Sequence, residues 1–358
     1  MERNICAGGG AAASGDGTSL VGSEALLFFE ELVTDLGGET PLLLAEAQVD
    51  PSSLRKAGAP LRYGDLVRLL ALAAERLGVA DFGLRLAQRQ RGGKVIGPIG
   101  VVMKNSETIG QALGYCAKHI HAYSLATRVR FKPDRSRHIL FVSLNILLEE
   151  MLDSRQVVEH ALLLANLNIV DISGGRARLR EVHFRHMPQM PVREYRRHFS
   201  CEVLFDQAED GFVLTESDLL CPIAEPDEQI HEMAVDYIDA RFPPATPPLR
   251  LRVRSLILNH LDGDCTYERI ASEMCMHPRT LQRRLRAEGG SFESIKDDVR
   301  RQVALRYLRQ REIPLTRVAQ KLGYAEASVL SRSCLRWFEA SPQEIRRVGM
   351  ARPGGPED

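Results

Sequence analysis

The chain has 358 residues, 44 % of them hydrophobic, and 47 Lys and Arg against 47 Asp and Glu, so its formal charge is zero. That length favours two domains with sizeable cores, and no apolar run reaches the roughly 18 residues needed to cross a bilayer. Seven scattered cysteines without a C-x-x-C pair exclude a disulfide framework and fit a reducing, cytoplasmic setting. The zero charge conceals a split. Residues 241–350 carry 21 Lys and Arg against 12 Asp and Glu, whereas residues 1–240 carry 25 against 33. Such an asymmetry directs the C-terminal part toward a polyanion.

Residues 1–20, small and glycine-rich, read as a disordered N-terminus with neither a signal-peptide core nor a phosphate loop. Residues 21–240 read as an α+β domain. Helical periodicity runs through 24–36, 41–49, 63–78 and 106–120, with Ser106 as the N-cap of the last. Strand patterns follow at 124–131, 137–144 and 177–184, a mostly buried helix at 155–170, and a short strand at 212–214. Four prolines in 243–248 make 241–250 a semi-rigid linker.

Residues 251–348 are helical throughout, and 349–358 read as a flexible tail. A helix opens this domain at 252–261. Thr266 caps a second helix that ends at Glu273. The next segment, PRTLQRRLRAEGG, places Arg279, Gln282, Arg283 and Arg286 on one face and Leu281 and Leu285 on the other. Arginine can grip guanine and glutamine adenine, each through two hydrogen bonds. Ser291 caps a long helix, and LTRVAQKLG and EASVLSRSCLRWF supply two more. TYERIASEMCM plus its helix is echoed by LTRVAQKLGYA plus its helix. Two helix-turn-helix units joined by one helix of about 18 residues, about 27 Å long, suit two successive major grooves.

LQRRLRAEG followed by LGYAEASVLSRSCLRWFEASPQEIR resembles the C-terminal domain of the AraC/XylS family of bacterial transcription regulators. LLLAEAQVDPSSL, FGLRLAQR, SETIGQALGYCAKH and 198–223 are similar to the arabinose-binding-type sensor of one branch of that family. The resemblance implies base reading by Arg279, Gln282 and Arg283, phosphate contact by Arg286, and positioning by Thr280. In the second unit it implies a surface of Ala327, Ser328, Ser331 and Arg332, with Arg336 on the DNA backbone and Trp337 as a buried anchor. Leu330, Cys334, Leu335, Ala340 and Ile345 depart from the family pattern, so the first unit is expected to dominate specificity and the second to position. The implied protein is a cytoplasmic, nucleoid-associated regulator, an activator rather than a repressor, controlled by a small-molecule effector. Its partners would be promoter DNA, RNA polymerase and a second copy in a homodimer.

Competing readings have less support in the residues. Cys265, Cys275 and His277 have the spacing C-x9-C-x-H, which matches no zinc pattern. An enzyme fused to a DNA-targeting module would need Cys201 or Cys221 as nucleophile, and neither has a flanking base. No catalytic residue, metal or cofactor is therefore expected. A ligand-independent regulator, using its first domain for dimerisation or partner contact, stays open, because pocket and core look alike in sequence. His119, Tyr123, Arg128 and Arg130 are the polar residues that such a pocket offers, without a role assigned to any of them.

Overall fold

The computed structural model describes residues 20–55, 59–91, 93–148, 152–243, 247–310 and 313–348. The expected disordered N-terminus (all but residue 20) and the tail lie outside them. The first domain starts with a helical layer. Helix Tyr63–Leu77 buries Leu66, Leu69, Leu70 and Ala73 along one stripe and stops where Gly78 turns left-handed at φ 64°. The helix expected over 24–36 is broken. A 3-10 turn at Ser23–Leu26 is followed by helix Phe29–Asp35, and Phe28 between them sits at φ 61°. Apolar periodicity continues across the break because both pieces bury side chains in one core.

Among the described residues seven short strands follow in chain order: β1 Leu20–Gly22, β2 Pro60–Arg62, β3 Thr127–Asp134, β4 Ile139–Ile146, β5 Glu181–His183, β6 Glu202–Leu204 and β7 Gly211–Thr215. The first two form a small antiparallel pair, and the others a five-stranded sheet in the order β3-β4-β7-β5-β6. All its pairs are antiparallel except β5 with β6. Alternation sorts the faces. Val129, Val142, Leu144, Val182, Phe212 and Leu214 point to an apolar core shared with helix Arg155–Ile172. Arg128, Arg130, Ser143, Asn145 and His183 occupy the opposite face by register. Helix Ile109–His119 is capped by Thr108, whose hydroxyl accepts from the Gln111 N–H, and not by Ser106 as expected. Ser106 is buried, its hydroxyl bonded to the Val102 carbonyl of the preceding turn.

The proline-rich linker is shorter than expected. Helix Glu228–Arg241 runs into its start, and helix Leu249–His260 begins before its end. Prolines cannot continue a helix, but Pro248 precedes its first turn at no cost in hydrogen bonds. From there the chain is helical: Tyr267–Glu273, Pro278–Ala287, Phe292–Leu308, Leu315–Lys321, Ala327–Phe338 and Pro342–Val348. The two domains touch through polar contacts. Asn259 Nδ2 donates to Asn145 Oδ1 at 3.0 Å, and buried Arg254 donates through Nε to the Leu148 carbonyl at 2.9 Å. Among the described residues no helix is long and apolar enough to cross a membrane.

Candidate DNA-binding interface and sensor cavity

Both helix-turn-helix units turn on the same backbone bonds. In the first, the Cys275 N–H reaches the Ser272 carbonyl and the Met276 N–H the Ala271 carbonyl, both at 2.9 Å. In the second, Gly323 reaches Gln320 and Tyr324 reaches Ala319, again at 2.9 Å. This is the left-handed stop that satisfies the last carbonyls of a helix. Gly323 adopts it at φ 68°, whereas Cys275 adopts it at φ 51° despite its side chain. Ala271 and Ala319, both buried, let the paired helices approach. Seventeen residues, Phe292–Leu308, join the units, about 25 Å at 1.5 Å per residue. Ser291 and Ser294 cap that helix reciprocally.

Helix Pro278–Ala287 starts at His277, whose ring nitrogen accepts from the Arg279 N–H at 3.3 Å. His277 thus serves the helix end, while Cys265 is buried and Cys275 exposed. Tyr267 donates its hydroxyl to the Pro278 carbonyl at 2.7 Å and ties the recognition helix to the helix before it. Leu281 and Leu285 are buried, Met276 and Thr280 half-buried. Arg279, Gln282, Arg283 and Arg286 are exposed together on one face, and none of these side chains has a hydrogen bond or ion pair among the described residues.

The second unit presents a different surface. Ala327 and Ser331 are half-buried; Ser328, Arg332 and Arg336 are exposed. Both hydroxyls are engaged within the helix start: Ser328 donates to Glu326 at 2.9 Å and Ser331 to the Ala327 carbonyl at 3.2 Å. Arg336 pairs with Asp297 of the joining helix. Trp337, expected to be buried, is only half-buried, because its indole N–H needs an acceptor and finds Asp297 at 2.9 Å. Leu330 and Cys334 fill the core in its place.

In the first domain, a cavity of about 120 Å³ lies between the apolar face of the sheet and helices Arg155–Ile172 and Ile109–His119. Its polar side chains come from Tyr63, Tyr123, Thr127, His160 and Asn168, and no Asp, Glu, Lys or Arg lines it among the described residues. Burial pushes the Tyr63 phenol up to about 12 and the His160 imidazole down to about 4, so both are neutral near pH 7. His160 Nε2 lies 2.6 Å from Gln90 Oε1. Of the four polar residues singled out in sequence, Tyr123 lines the cavity. His119 stacks on Tyr115 at 4.1 Å outside it, and Arg128 and Arg130 belong to the other face of the sheet by strand alternation.

A sensor-like α+β domain joined to twin helix-turn-helix units defines a DNA-binding transcription regulator. Residues 37–223 match the arabinose-binding domain of AraC transcription regulators, N-terminal, and residues 270–348 match a helix-turn-helix domain family. The chain belongs to the AraC family of transcription regulators. It is 31 % identical over 332 residues to the HTH-type transcriptional regulator VirS of Mycobacterium tuberculosis, covering 92 % of this chain and 97 % of that one. It is 26 % identical to the ornithine utilization regulator of Pseudomonas aeruginosa, over 91 % of this chain and 95 % of that protein. The crystal structure of transcriptional regulator CdpR from Pseudomonas aeruginosa aligns over 89 % of this chain and 98 % of its own, with 19 % identity and a TM-score of 0.39.

Proposed function

We propose that this regulator reads its operator chiefly through Arg279, Gln282 and Arg283, with Arg286 on phosphate and Thr280 against the backbone. The observation that carries this reading is the unpartnered arginine and glutamine face of helix Pro278–Ala287. Long side chains free of internal partners can make paired bonds to base edges in the major groove. In the second unit Ala327, Ser328, Ser331, Arg332 and Arg336 position the protein and sense groove shape.

The cavity in the first domain supports control by a small effector. Its lining of neutral hydroxyl, amide and apolar groups suits an uncharged, largely apolar molecule. A relative is named for ornithine utilization, but among the described residues no carboxylate lines this cavity to take an ammonium group. Strand β4 gives the effector a route to the DNA-binding domain. Val142 and Leu144 line the cavity, while Asn145 on the opposite face holds Asn259. A ligand changes DNA binding only through unequal affinity for two arrangements of that junction. Activation through contact with RNA polymerase, and assembly as a homodimer, complete the proposed mode of action.

The test is a genome-wide footprint of the protein on its own chromosome, by cross-linking and sequencing, for the native chain and for Ala161→Phe, which fills the cavity. A few sharp peaks sharing a motif beside promoters, with occupancy altered by the filled cavity, support the reading. Diffuse binding without a motif contradicts the base-reading role, and peaks insensitive to Ala161→Phe favour a ligand-independent regulator.

A further inference from the structure

An unmatched group of arginines sits where the sensor domain meets the DNA-binding domain. Arg128 and Arg130 lie two apart in β3 and share the sheet face of their cross-strand partners Asn145 and Ser143. That face meets helix Leu249–His260, where Asn259 donates to Asn145 at 3.0 Å. Arg252 stands seven residues before Asn259, two turns along the same helix face. The recognition helix reaches the same corner. The two carboxylate oxygens of Glu288 accept from the Leu249 N–H at 3.2 Å and the Arg250 N–H at 3.0 Å. Arg284, four residues before Glu288, projects from that side of the helix.

None of the guanidinium groups of Arg128, Arg130, Arg252 and Arg284 has a hydrogen bond or ion pair among the described residues, and Arg252 Nε is buried without an acceptor. Glu288 is the carboxylate within electrostatic reach of Arg252, and its oxygens are committed to the two backbone N–H groups. Burial first, then Arg130 and Arg252, lowers Arg128 to about 10. Burial, then Arg130 and Arg284, lowers Arg252 as well. Four guanidinium groups gathered around the Glu288 carboxylate leave like charges under-compensated, which is unfavourable where they are desolvated. A phosphate group supplies the missing acceptors, and guanidinium forks grip it through paired bonds. We propose that Arg128, Arg130, Arg252 and Arg284 form a phosphate site that bridges the two domains. The phosphate comes either from the DNA backbone beside the recognition helix or from a small free molecule. In both cases the sensor domain takes part directly in anion binding.

Two readouts on the full-length protein test this. The first is the rise in thermal midpoint on adding inorganic phosphate, at an ionic strength matched with sodium chloride. The second is the salt dependence of binding to a duplex of random sequence. Arg130→Gln and Arg252→Gln are compared with Arg135→Gln, an exposed arginine of the same hairpin. A DNA source predicts that the slope of log affinity against log salt falls by about one for each cluster arginine removed. A free source predicts that the phosphate response disappears while the slope stays. Arg135→Gln is expected to change neither. Cluster variants that match the native protein in both readouts overturn the site. If the β3 variant does not fold, Arg252→Gln on helix Leu249–His260 carries the same comparison.

Discussion

The two helix-turn-helix units share one backbone plan and differ in what they show to solvent. On one face the first presents four exposed long side chains, Arg279, Gln282, Arg283 and Arg286, without partners among the described residues. The second presents Ala327, Ser328 and Ser331, the two serine hydroxyls already bonded to Glu326 and to the helix backbone, with Arg332 exposed beside them and Arg336 paired with Asp297. A turn motif thus fixes where a recognition helix lies, while the side chains on its outer face decide whether it reads bases. The backbone shows the reverse inequality. Gly323 fits the left-handed turn of the second unit, whereas Cys275 holds that conformation in the first at the steric disadvantage of a side chain.

The largest effects should be the same in both units. Leu281→Ala and Leu330→Ala, each removing a fully buried side chain, are expected to lower stability by about 2–5 kcal/mol in urea titrations. A much smaller loss for Leu330→Ala would mean that the second unit is loosely packed, and would break the parallel between them. Next comes Arg283→Ala, expected to weaken binding to the specific site by about 1–3 kcal/mol with little change on random duplex. Equal losses on both duplexes, measured by fluorescence anisotropy, would reduce Arg283 to a phosphate contact. Arg286→Ala should instead lower the salt slope by about one on every sequence. Arg336→Ala should lower it by less, because Asp297 already neutralises that side chain.

The turns separate the units at a smaller scale. Gly323→Ala should destabilise by about 1 kcal/mol or more, since its added carbon would meet the Leu261 carbonyl oxygen at 2.3 Å. Cys275→Gly should move thermal stability upward by up to about 1 kcal/mol, relieving the left-handed cysteine. A loss on Cys275→Gly would show that the sulfhydryl carries a role that outweighs its backbone. Smallest is Ser328→Ala, expected to change specific affinity by less than about 0.5 kcal/mol, because its hydroxyl is spent on Glu326.

Much of the second domain was legible in the sequence because its signals are local. Thr266 and Ser291 cap the helices predicted for them, and the paired alanines and turns of the two units stand at matching offsets. The first domain was less legible because its pairings are long-range. β5 and β6 have three residues each and exist through their pairing with each other and, for β5, with β7. Sequence periodicity cannot place such strands. Ser106 looked like a cap, but buried space behind Val102 claimed its hydroxyl and left the role to Thr108. The arginines of β3 read as pocket candidates from sequence alone. Alternation puts them on the side of the sheet away from the cavity, and only the docking of helix Leu249–His260 reveals what they face.

The division of labour between the two units is tested most directly by selecting binding sites for the full-length protein from a random duplex library. The expected motif has strongly specified bases in one major groove and weak, shape-dependent preference in the groove one turn away. Two equally specified grooves, or strong specification that survives Arg279→Ala, Gln282→Ala and Arg283→Ala together, would contradict it.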